Sequence, residues 1–104
     1  MGMSKEETGM VGFEIVAFAG EARSKLILAL DEAEKKNFVK ADELMAEANA
    51  SLIEAHKSQT QMLAAEARGE TMEIGFIMVH AQDHLMTTML LRDVMKHLIN
   101  VYRN

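Results

Sequence analysis

No proline interrupts the 104 residues, and this absence constrains the fold more than any other feature. Proline is the strongest breaker of helices, so a chain without it sustains long ones, and an Ala, Glu, Lys, Leu and Met-rich composition favours helix over strand. With 49% hydrophobic and 26% charged residues, the chain has the makings of a packed core, which argues against collagen-like or disordered states. One small domain over residues 1–104 is expected, with residues 1–9 loosely held.

Three helices are predicted. Ser4-Lys5-Glu6-Glu7 fits a capping box, while Gly9 and Gly12 weaken the turns that follow, so the first helix is expected to become firm near Met10. Phe13, Val16, Ala17, Gly20, Ile27 and Leu30 mark one face of it, and Lys35-Lys36-Asn37 ends it. The second helix carries the clearest period, with Phe38, Ala41, Met45, Ala48, Leu52, Ala55, Gln59 and Met62 at alternating steps of three and four. Gly69 suits a left-handed stop and Thr71 a cap for a third helix, from about Met72 to about Tyr102. Helices joined by such short turns lie antiparallel, which gives an all-α, up-down-up three-helix bundle.

The third helix is too apolar for a bundle member alone. One seam reads Ile77, His80, His84, Thr87, Leu91, Val94 and Leu98, and a second beside it reads Phe76, Val79, Asp83, Met86 and Leu90. A helix apolar over so wide an arc is expected to meet copies of itself in an oligomer.

Several functions are excluded by what the chain lacks. Without cysteine there are no disulfides, thiolate metal sites or cysteine nucleophiles, which suits a cytoplasmic protein. A net charge of −5 with scattered cations gives no pull toward nucleic acid. The polar, acidic Met1–Thr8 stretch is unlike a secretory signal, and the apolar run from Ile74 to Val79 is far shorter than the roughly 20 residues that cross a bilayer. No direct membrane insertion is expected.

Chemistry concentrates where both seams are interrupted, at His80, Asp83 and His84. The three fall within about a 100° arc over two turns of helix, and unpartnered polar groups buried there would cost about 1–3 kcal/mol each. Asp83 on an oligomer seam would meet its own copies, a repulsion that a shared divalent cation or shared protons would relieve; the alternative is a solvated carboxylate. His80 and His84 have zinc-ligand spacing, but Ala81 stands where a zincin has Glu, and no Glu lies three residues before any of the four histidines. Three readings of the pair therefore stand: a zinc site completed by other subunits, two hydrogen-bonded core histidines, or an imidazole nucleophile toward phosphorus. For the last, His84 and Gln82 are candidate donors to the phosphoryl oxygens. No Gly-rich phosphate loop or Walker lysine accompanies them, so ATP is not the expected donor.

The stretch Val79-His80-Ala81-Gln82-Asp83-His84-Leu85-Met86 closely resembles the signature of the lactose/cellobiose (diacetylchitobiose)-type enzyme IIA of the bacterial phosphoenolpyruvate-dependent sugar phosphotransferase system. The likeness extends to Ala19-Gly20-Glu21-Ala22-Arg23-Ser24, and to Phe38, Ala41, Glu43-Leu44-Met45 and Glu54-Ala55-His56-Lys57-Ser58-Gln59-Thr60. This resemblance implies a homotrimer of three-helix bundles in which His80 carries a phosphoryl group on Nε2. The group would come from the phosphocarrier HPr and pass to a cysteine of a IIB component, which phosphorylates a disaccharide entering through IIC. Three copies of Asp83 would hold a divalent cation, usually taken as Mg²⁺, on the symmetry axis, and His84 would assist. The sugar is not implied, since lactose, cellobiose and diacetylchitobiose systems share this carrier. Beside it stand a non-enzymatic helical interaction module and a zinc-assembled bundle. His56 reads as half-exposed, His97 as structural, the ten methionines as core, and Lys35, Lys36 and Lys40 as a solvated turn.

Overall fold

A computed structural model describes residues 2–104; Met1 lies outside the described residues. The chain forms α1 (Lys5–Glu34), α2 (Phe38–Ala67) and α3 (Phe76–Arg103) in a rod 53 × 20 × 16 Å across its principal axes. The three-helix bundle expected from the sequence is what the chain adopts. α1 packs along both other helices, whereas α2 and α3 meet each other over a shorter stretch.

Each helix contributes a narrow buried seam, mostly of small residues on α1 and α2 and of larger ones on α3. On α2 it is the predicted one, with Ala41, Ala48, Leu52 and Ala55 essentially sealed and Phe38, Met45 and Met62 packed against them. On α1 the buried stripe is Gly12, Ile15, Ala19, Ala22, Leu26, Ala29 and Ala33, one residue out of phase with the predicted face. Phe13 and Ile27, expected inside, are 60% and 47% exposed. The small residues are what permits the close approach: a Cβ at Gly12 would stand 3.1 Å from Ile77 Cγ2 and 3.4 Å from the Ile77 carbonyl.

Two boundaries differ from the sequence reading, for one shared reason. α1 begins at Lys5 rather than firming near Met10, and its capping box is complete, Glu7 N–H donating to Ser4 Oγ and Ser4 N–H to Glu7 Oε1. α3 begins at Phe76 behind Gly75, not at Met72 behind Thr71. The intervening residues are engaged by the N-terminal segment: Met3 N–H donates to Thr71 O (2.9 Å) and Glu73 N–H to Met3 O (3.0 Å). Fully buried Thr8 adds its hydroxyl to Glu73 O at 2.6 Å. Backbone groups satisfied in this way are unavailable to a helix. Gly69 takes the left-handed conformation expected of it, with φ 87°.

At the other end, the turn after α1 is more than a solvated one. Lys36, with φ 67°, donates through Nζ to Tyr102 O at 2.6 Å and lies over the rings of Phe38 and Tyr102, tying the α1–α2 turn to the end of α3.

Candidate functional site

α3 buries Met78, Ala81, Leu85, Thr88, Met95 and Ile99 against its neighbours. Both seams singled out in the sequence therefore lie largely outside the single-chain core, although Leu91 of the first packs against it. Phe76 (85% exposed), Val79, Met86, Leu90, Val94 and Val101 form an exposed apolar strip along the helix, with Asp83 exposed in its midst. Asp83 makes no ion pair among the described residues.

His80 is the fifth residue of α3, counting from Phe76, and is exposed on one edge of that strip. His84 stands one turn further and is half-buried. The two rings meet edge to face, centroids 5.5 Å apart and planes at 80°. This contact restrains the His80 ring while leaving it open to solvent. His84 Nδ1 is itself sealed from solvent and without a hydrogen-bond partner among the described residues, an arrangement that costs stability. Gly75 provides no side-chain cap, so the first N–H groups of α3 are free just before His80, and the positive end of the helix favours negative charge there.

The core-histidine reading does not hold for His80. The structure also separates Gln82 from it: two residues on means about 200° around the helix. Gln82 instead accepts a hydrogen bond from Gln59 Nε2 and donates through its own Nε2 to Met78 Sδ at 3.4 Å. Within one chain, Gln82 is therefore no donor to a group on His80. Its partner Gln59, which also reaches Met86 Sδ at 3.6 Å, entered the sequence reading as part of the α2 seam and of the stretch that carries the resemblance, with no role at the site.

The remaining histidines lie apart from this site. His56 is exposed and lines a cleft of about 620 Å³ with Lys57, Thr60, Met89 and Arg92, where Met89 is half a turn around α3 from His80. His97 is exposed near the end of α3. Among the described residues, no group of three or more His, Asp or Glu side chains is placed to hold a metal ion. A cation at Asp83 thus needs carboxylates from further copies. A lone, unpaired carboxylate centred on an apolar strip suits such sharing. None of the described helices is long and apolar enough to cross a membrane.

Fold and site together define an all-α bundle that presents a restrained, solvent-facing imidazole without a nucleotide-binding loop. Residues 10–103 match the lactose/cellobiose-specific IIA subunit of the phosphotransferase system, and the chain belongs to that family, as a phosphotransferase component. It is 56% identical over 101 residues to the lactose-specific EIIA component of Lactococcus lactis subsp. lactis, covering 97% of this chain and 96% of that one. Among solved structures it resembles PtcA from S. mutans with a TM-score of 0.94 and 43% identity, covering 98% and 100% of the two chains. The IIA(Chitobiose) in the IIA(Chitobiose)–HPr complex of the Escherichia coli N,N'-diacetylchitobiose branch is also similar, with a TM-score of 0.79, 35% identity and coverage of 93% and 94%.

Proposed function

We propose that this chain is a phosphohistidine carrier that takes a phosphoryl group from phospho-HPr onto His80 Nε2 and passes it to a cysteine of a IIB component, for uptake of a disaccharide such as cellobiose, lactose or diacetylchitobiose. The observation that carries the reading is the exposed His80 ring, held edge-on by His84 at the positive end of α3. A complex of a similar IIA protein with HPr supports the choice of donor. The lone pair of the neutral imidazole nitrogen forms the new N–P bond as the donor's bond to phosphorus breaks and its leaving group keeps that electron pair. Onward transfer reverses the roles, with a IIB thiolate attacking and imidazole leaving. Both partners visit in turn, so each contact is modest in size.

The carrier assembles as a homotrimer in the cytoplasm, with the apolar strip of α3 turned to the symmetry axis. Phe76, Val79, Met86 and Leu90, all more than half exposed in the single chain, support this burial. Three copies of Asp83 would then hold a divalent cation, Mg²⁺ by the preference of hard cations for carboxylate oxygen. Its contribution there is charge neutralisation and assembly.

Incubating phospho-HPr with wild type and with His80→Ala tests the proposal. Transfer to the wild type and its loss in the variant, with helix content and assembly mass retained, is the expected result. Loss of assembly rather than of transfer would instead mark a non-enzymatic interaction module. Dissociation on removal of stoichiometric zinc would mark a zinc-assembled bundle.

A further inference from the structure

We propose that the N-terminal segment from Met3 to Thr8 is a positioning element for phosphoryl transfer: by holding the α2–α3 connection out of helix it sets where α3 begins, and so keeps the free N–H groups of that helix beside His80. This rests on the carrier reading above. The sequence permits a longer α3, starting at Met72 behind Thr71 with no proline to stop it. In such a helix Thr71 O would accept from Gly75 N–H, and Glu73 O from Ile77 N–H. The N-terminal segment takes both carbonyls. Met3 N–H donates to Thr71 O at 2.9 Å, and the sealed Thr8 hydroxyl donates to Glu73 O at 2.6 Å. Met3 also forms a parallel bridge with Met72, and Lys5 N–H donates to Glu73 Oε2 at 3.2 Å. The Lys5 side chain lies against Gly75, where an added Cβ would stand 2.9 Å from Lys5 Cε.

The first backbone bond of α3 therefore runs from Val79 N–H to Gly75 O, at 3.3 Å, and the N–H groups of Phe76, Ile77 and Met78 donate to no described residue. A helical side chain leans over the turn before it, and for His80 that turn holds Phe76 and Ile77. A phosphoryl group on the ring is thus carried toward the positive end of the helix, whose attraction for anions falls off within the first turn. Starting α3 at Met72 would move that end about 6 Å further from His80 and engage Ile77 N–H. Among the described residues, Met3 to Thr8 make no hydrogen bond to α3 itself. Their influence on His80 runs through the start of the helix.

A mutant cycle separates this role from plain stabilisation. Met3→Pro/Thr8→Val removes the backbone donor and the hydroxyl donor of the segment. Phe76→Pro fixes the start of α3 independently, since proline suits the first position of a helix and Gly75 before it is already extended, with φ −109° and ψ 178°. In single-turnover transfer from saturating phospho-HPr, the segment substitutions should slow acceptance on His80 about two- to fivefold in the otherwise wild-type chain. The Cα chemical shifts of residues 72–74 should move toward helical values in the same protein. Made in the Phe76→Pro protein, the same substitutions should not slow transfer further. A general loss of stability would slow both alike. Circular dichroism and native mass spectrometry report the folding and assembly of each protein, and Thr8→Val alone repeats the comparison should the combined variant not fold. Equal slowing in the two backgrounds, slowing in neither, or slowing without growth of helix over 72–74 overturns the positioning role while leaving His80 as acceptor. A wild type that takes no phosphoryl group overturns the carrier reading itself.

Discussion

An acceptor imidazole has to show a nitrogen to the incoming phosphorus while its ring is kept from wandering, and His80 combines exposure with the edge-on contact of His84. Because the residue is exposed and lies outside the core, His80→Ala should leave the unfolding free energy within about 0.5 kcal/mol of wild type by urea denaturation. A larger loss would mean the ring serves packing. Asp83 belongs to the same scale: Asp83→Asn removes the charge but keeps the shape. Its assembly should resist chelators such as EDTA, whereas wild type should shift toward monomer when cation is removed, as read by sedimentation. Equal sensitivity in the two proteins would contradict a shared cation. The positions of His80 and Asp83 were legible in the sequence because both interrupt apolar seams, and the structure places both at the surface; the acceptor role proposed for His80 came from the resemblance. The position of Gln82 was not legible, since nearness along a helix says nothing of direction around it, and Gln59, 23 residues away in the chain, left no local signal.

At the scale of elements, the α2 seam was readable because its period is regular and its larger members, Phe38, Leu52 and Met62, sit on the buried side. α1 misleads because its core stripe is mostly alanine, with Gly12 at a close helix crossing. A search for large apolar side chains picks the stripe through Phe13 and Ile27 instead, which the single chain leaves exposed. The late start of α3 was hidden for another reason: the pairing of Met3 with residues 71–73 is long-range and leaves no local periodicity. Thr8→Val should therefore cost about 1–3 kcal/mol in chemical denaturation, because the hydroxyl bonded to Glu73 O is wholly buried. Gly9→Ala should act the other way. A Cβ there meets nothing within 4 Å, so the substitution should add about 0.5–1 kcal/mol through backbone entropy. Destabilisation at Gly9 would show that the first turns of α1 are not helical as described.

Across the whole molecule, the fold follows from a proline-free chain with small-residue seams on α1 and α2, and the proposed assembly rests on the apolar strip that α3 leaves uncovered. One ion pair linking two helices gives the stability a defined pH dependence. Lys25 on α1 bridges Glu21 and Glu47 of α2, at 3.2 and 3.0 Å. The pair with Glu47 holds the Lys25 ammonium above its usual range and the Glu47 carboxyl below its own. A lowered carboxyl stabilises the fold above its unfolded value near 4.5, and that contribution fades as pH falls through the folded value; a raised ammonium does so below 10.5 and fades as pH rises through its folded value. The stability difference between wild type and Lys25→Met should therefore be greatest between these limits, shrink at either extreme, and diminish in about 1 M salt. A difference indifferent to pH and salt would assign Lys25 a packing role. The central claim concerns a single nitrogen, and site-resolved mass spectrometry measures it. After incubation with phosphoenolpyruvate, enzyme I and HPr, one acid-labile, base-stable phosphoryl group per chain should map to His80; no gain, or a gain on another residue, in the presence of a competent donor system would contradict the account.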